Sequence, residues 1–101
     1  MLILTYLLPA DCLAGVVDEV GADVEVYVDG GVRSGLSVLT ALALGARACF
    51  LGRLPLYALA VGGEAGVRDL VEAVRAELEE SLALAGCSDV GAARGLTVVR
   101  P

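Results

Sequence analysis

The sequence predicts an α/β chain built from parallel βα units, and three observations carry that expectation. Two short apolar runs, Val24–Val28 (VEVYV) and Ala48–Leu51 (ACFL), read as strands. Apolar stripes at helical spacing lie before, between and after them. Each strand runs into a glycine corner, Asp29-Gly30-Gly31 after the first and Gly52-Arg53 after the second. Strands separated by helical crossovers pair in parallel, because an antiparallel pair would need only a short turn.

The elements follow in order. Leu2–Leu8 is an apolar run, too short for periodicity to choose between a strand and a buried helical turn. Pro9 opens a helix whose Leu13, Val16, Val17 and Val20 share one face, and Gly21 stands where a left-handed C-cap is expected. Val24–Val28 is rich in β-branched residues. Its Glu25 is the one residue that does not suit a covered strand. Gly30 and Gly31 supply the freedom for positive φ in the turn that follows. Ser34 or Ser37 caps the next helix, which carries Val38, Leu39, Leu42 and Ala43 and ends at Gly45. After Ala48–Leu51 comes a long helix with Val67, Leu70, Val71, Val74, Leu78 and Leu82 on one stripe. Glu64–Arg68, Arg68–Glu72 and Arg75–Glu79 are opposite charges four residues apart on its outer side, and Gly86 ends it. The tail offers only Leu96–Val99 as an apolar segment.

Composition bounds what such a chain can do. Its 101 residues allow one small domain. A hydrophobic content of 57% with a mean hydropathy of +0.80 is high for a free-standing domain of this size, and implies faces meant for a partner or for a missing remainder. Seven arginines face thirteen acids, for a net charge of −6, which argues against nucleic acid as a partner. The absence of histidine removes the usual general base and the commonest metal ligand. Cys12, Cys49 and Cys87 are scattered, without a C-x-x-C pair, as expected of buried thiols in a reducing compartment. Met1–Leu8 lacks the basic start of a signal peptide, and Arg47 and Arg53 interrupt the apolar stretch from Leu36 to Val61, so no membrane span is expected. Cytoplasm is the default location.

The chemistry lies in the two loops, V-D-G-G-V-R-S-G (Val28–Gly35) and F-L-G-R (Phe50–Arg53). Each is a glycine corner just after a strand, and each delivers an arginine. Neighbouring parallel strands put both on the C-terminal edge of the sheet, where βα barrels build their active sites and often hold a phosphate. A phosphate needs backbone N–H groups at close approach, a helix N-terminus and the planar fork of arginine. Arg33 and Arg53 suit that task, while Asp29 fits better as an acceptor for a ligand hydroxyl or as a support of the turn. The other candidates have plainer readings. Glu72, Glu77, Glu79 and Glu80 form a solvated helix face, Asp18 and Glu19 face water, and Tyr6, Tyr27 and Tyr57 are packing residues. No cluster has metal-ligand spacing.

The run from Val24 to Arg53, V-E-V-Y-V-D-G-G-V-R-S-G-L-S-V-L-T-A-L-A-L-G-A-R-A-C-F-L-G-R, resembles the end of the FMN-dependent 2-hydroxy-acid oxidases and dehydrogenases, the glycolate and lactate oxidase group. The likeness continues through L-Y-A-L-A-V-G-G-E-A-G-V (Leu56–Val67) to A-G-C (Ala85–Cys87), and covers about Pro9 to Gly91. It implies the last part of a (β/α)8, or TIM, barrel: strands seven and eight with their helices, preceded by helix six. It also implies FMN as cofactor, with its phosphate end held by Asp29, Gly30, Gly31, Arg33, Gly52 and Arg53. The resemblance places the family's proton-abstracting histidine and substrate-binding arginine in an S-N-H-G-x-R-Q-L-D segment before the helix that starts at Pro9. Residues 1–8 diverge there and contain neither. The implied lysine of an earlier strand is absent too, and the family's G-R-P reads G-R-L-P here.

Two further readings are carried forward. One is a non-enzymatic module that binds an anion at Arg33 and Arg53, self-associates or completes another chain. The other is a piece of a different phosphate-binding barrel, such as an IMP dehydrogenase relative, against which the run from Tyr57 to Gly66 speaks. On the leading reading the chain has no catalytic residue of its own, and is inactive alone. Some relatives in the family are peroxisomal, but this sequence ends Val99-Arg100-Pro101.

Overall fold

The computed structural model describes residues 2–4 and 9–98. Their order is β1 (Leu2–Leu4), α1 (Pro9–Val20), β2 (Val26–Asp29), α2 (Gly35–Ala43), β3 (Ala48–Phe50), α3 (Arg53–Leu84) and a short 3-10 helix (Val90–Gly95). The strands form one parallel sheet in the order β1-β2-β3. The opening run is therefore a strand over Leu2–Leu4, while Thr5–Leu8, Val99, Arg100 and Pro101 lie outside the described residues.

β2 begins two residues later than the sequence predicts and takes in Asp29. The reason is the end of α1: the Val24 N–H donates back to the Val20 carbonyl at 3.0 Å, so Val24 belongs to the helix exit. Gly21 is not the expected left-handed cap, since it is not among the glycines with positive φ. Its N–H continues the helix to the Val17 carbonyl at 2.8 Å, and a Cβ there would lie 2.5 Å from that same oxygen. Glycine is needed at this position for room. Glu25 finds its account one step on, accepting a hydrogen bond from the Tyr27 hydroxyl beside it. That bond pushes the Tyr27 phenol above its ordinary pKa.

The main core lies between the sheet and α1 and α2. Leu13, Val26, Val28, Val32, Ala41 and Ala46 form it, with Val16, Val17 and Val20 packed around them. A second cluster joins α2 to the chain end through Leu39, Leu82 and Ala93. The sheet is covered on one face only: Val26 and Val28 are buried toward the helices, whereas Ala48 and Phe50 on the other face are exposed. Tyr27 meets Phe50 edge to face there, with ring centres 5.7 Å apart.

α3 departs from a single amphipathic helix. Gly63, at φ 63° and ψ −150°, breaks it into segments 53–62 and 64–84. The stripe expected along the second segment is only partly used: Val74 and Leu82 are buried, but Val71 is 49% exposed. Arg68 pairs with Glu64 and Arg75 with Glu79, both at i, i+4; the expected Arg68–Glu72 pair is replaced by Arg75–Glu72. Among the described residues, no helix is long and apolar enough to cross a membrane.

Candidate anion-binding site

Both glycine corners leave the sheet on the same side, because β2 and β3 run parallel and Asp29 sits opposite Phe50. The first corner turns through Gly30 at φ 98° and Gly31 at φ 74°, conformations that side chains other than glycine rarely adopt. Val32 then anchors the turn in the core while Arg33 stays exposed. The second corner passes from Phe50 through Leu51 to Gly52, which opens α3.

The two corners wall a single cavity of about 330 Å³. Its lining includes all six residues singled out from the sequence: Asp29, Gly30, Gly31, Arg33, Gly52 and Arg53. Among the described residues neither arginine takes part in an ion pair, since the pairs present all lie along α3. Their guanidinium groups are therefore available to a ligand. The volume stands at the low end of the roughly 300–1,000 Å³ usual for small-molecule pockets.

The two helices that start at the cavity differ in what they offer. Two of the first N–H groups of α2 are taken: Ser34 Oγ accepts from Ser37 N at 3.2 Å, and Glu77 Oε2 accepts from Gly35 N at 3.2 Å. At α3 no side chain caps the start. Its opening residues Arg53 and Leu54 bring free N–H groups, and Pro55 has none to offer. The partial positive charge of a helix start and the unbonded donors thus remain at Gly52–Leu54.

Sequence reasoning missed the apolar part of this lining. Val32, Phe50, Leu54 and Tyr57 also border the cavity. Tyr57, read from sequence as packing, lies one helical turn beyond Arg53, and the i, i+4 relation was the signal that could have placed it there. Glu77 is exposed, as the solvated-face reading expects, and in addition accepts the Gly35 N–H at the start of α2, a contact its sequence position does not show.

A larger cavity of about 530 Å³ lies at the opposite end of the sheet and includes Arg47 and Arg94. It suits an anion less well. Asp23 and Glu25 share it, and residues at the ends of α1 and α2 open onto it, where helix carbonyls carry partial negative charge. The cysteines are not the buried thiols the sequence suggests: Cys12 is exposed at the surface of α1, and Cys49 and Cys87 are half-buried. None of the three is in a disulfide, and partial burial pushes the Cys49 thiol above its ordinary pKa.

A family model described as FMN-dependent dehydrogenase matches residues 5–99. The chain belongs to this family. FMN is the family's cofactor, and the IMP dehydrogenase alternative is set aside. The chain is 51% identical over 80 residues to 2-hydroxyacid oxidase 2 of Rattus norvegicus, covering 79% of this chain and 23% of that protein. It is 49% identical over 86 residues to 4-hydroxymandelate oxidase of Amycolatopsis orientalis, covering 85% and 24%. A mandelate oxidase structure with an FMN adduct superposes with a TM-score of 0.84 at 48% identity, over 87% of this chain and 28% of that one. The chain thus spans about a quarter of the length of the relatives it matches.

Proposed function

We propose that this chain supplies the phosphate end of the FMN site in an oxidoreductase that oxidises 2-hydroxy acids to 2-oxo acids. The observation that carries the reading is the convergence of Arg33, Arg53 and both glycine corners on one cavity beside the uncapped start of α3. The donor set fits a phosphate: two guanidinium groups that form no ion pair among the described residues, glycine backbone that permits close approach, and helix-start N–H groups. Asp29 can accept a hydrogen bond from a ribityl hydroxyl at the same wall. FMN, when bound, supplies the acceptor for hydride equivalents. This chain's residues bind and orient its anionic end and set Phe50 and Tyr57 along the cavity.

The sequence contains no histidine to act as base, so we infer that the proton-abstracting group belongs to another part of the enzyme and that these 101 residues are inactive alone. In this reading β2 and β3 are strands seven and eight of a (β/α)8 barrel, α1 is helix six, and β1 is the strand before it. The one-sided cover of the sheet supports this, because barrel strands carry helices outside and packed side chains inside. The uncovered Phe50 face and the exposed Leu56, Leu59 and Val61 support association with the rest of a barrel or with a second copy.

Titration with FMN and with riboflavin tests the proposal, since the two differ by the phosphate. FMN is expected to bind more tightly than riboflavin by roughly 100-fold or more, the scale of two charge-assisted contacts. Both affinities should be weaker than micromolar in a chain that holds only one end of the cofactor. Equal binding of the two flavins would remove the phosphate reading.

A further inference from the structure

We propose that Glu77 is a positioning residue for the phosphate corner: from the last helix it holds the start of α2, and through it the turn that aims Arg33. The inference rests on the reading of that turn as part of the FMN site. Glu77 lies 42 residues beyond Gly35 in sequence, yet its Oε2 accepts the Gly35 N–H at 3.2 Å. The contact is more than one hydrogen bond. A Cβ on Gly35 would fall 2.1 Å from Leu78 N and 2.4 Å from the Glu77 carbonyl carbon, so the two backbones touch with no side chain between them.

Gly35 is the first residue of α2 and directly follows Ser34, which ends the Asp29–Ser34 turn. Fixing Gly35 therefore fixes the exit of the turn whose entrance is already fixed by β2. A carboxylate at a helix start is also favourable with the helix dipole, so this contact completes the cap begun by Ser34. The same carboxylate closes α2 to an incoming anion and leaves the start of α3 as the seat. Glu77 touches no part of the cavity itself, which is why its role is positioning.

The test compares amide hydrogen exchange, amide chemical shifts and FMN affinity in the wild-type chain and three variants: Glu77→Ala, Glu77→Gln and Leu82→Ala. Leu82 belongs to the second core cluster and serves as a control for general loosening of the α2–α3 packing. Loss of the acceptor in Glu77→Ala is expected to speed Gly35 exchange by about tenfold or more and to shift the Gly31–Ser34 amides. Glu77→Gln keeps an acceptor oxygen, and is expected to stay within about threefold of wild type. If Glu77 acted only by its charge, both Glu77 variants would tighten FMN alike. That result overturns the proposal, as does unchanged Gly35 exchange in Glu77→Ala or an equal disturbance of the turn in Leu82→Ala. FMN binding that is indifferent to the paired replacement of Arg33 and Arg53 would instead sink the cofactor reading, and with it the link to phosphate, while the exchange data would still show whether Glu77 holds the turn.

Discussion

Replacing Arg33 and Arg53 together with alanine is expected to lower FMN affinity about 100-fold while leaving riboflavin affinity unchanged. Each guanidinium contributes a charge-assisted hydrogen bond to the phosphate, worth about 1.5 kcal/mol at an exposed site, or roughly tenfold in affinity. The two side chains come from different corners of the cavity and form no ion pairs among the described residues, so their removal orphans no partner in the fold. Single variants should each lose roughly tenfold, and the sum should be close to additive unless both bond to one phosphate oxygen. Calorimetry or flavin fluorescence reads the affinity, and thermal unfolding checks that stability is kept. A double variant that binds FMN like the wild type contradicts the assignment of both residues.

Gly35→Ala is expected to be the most damaging single methyl addition in the chain. The new Cβ would sit 2.1 Å from Leu78 N, a backbone atom that can move only if α3 shifts away from α2. That shift opens the cluster of Leu39, Leu82 and Ala93 and breaks the Glu77 contact to the Gly35 N–H. A cost of about 3 kcal/mol, at the upper end for overpacking, is expected. Gly31→Ala makes the contrast. It has no atom within 4 Å of a built Cβ and suffers only from its φ of 74°, for a cost of about 1 kcal/mol. Urea denaturation of the two variants separates close approach from backbone conformation. Equal stabilities would contradict the packing argument.

The features legible in the sequence are those that rest on local rules. Leu13, Val16, Val17 and Val20 show the buried face of α1, because a 3.6-residue period converts directly into a side. The turn at Gly30 and Gly31 and the Ser34 cap were readable because each depends on residues within a few positions. The convergence of Arg33 and Arg53 was readable from one inference, that successive βα units pair in parallel.

What escaped the sequence depends on contacts far along the chain. Glu77 looks like any exposed helical acid until α3 is laid against α2, and Gly35 looks like an ordinary helix start until Leu78 is beside it. The break at Gly63 followed a second glycine, Gly62, in an otherwise helical pattern, and spacing alone does not say which of the two turns left-handed. The 3-10 helix over Val90–Gly95 lies in a Gly- and Ala-rich stretch with little periodicity. It is held by the Asp89 cap and by Ala93, which is wholly buried against Leu39 and Leu82. Val71 shows the opposite failure: it keeps the stripe's spacing, yet the described residues bring no partner to cover it.

The central claim is that the phosphate of FMN sits between the two glycine corners at the start of α3. Backbone amide shifts recorded during an FMN titration test it most directly. The predicted result is a set of saturating changes at Gly30, Gly31, Arg33, Gly52, Arg53 and Leu54, absent when riboflavin is added. Phosphate-dependent changes centred instead on Arg47 and Arg94, at the far end of the sheet, would contradict it.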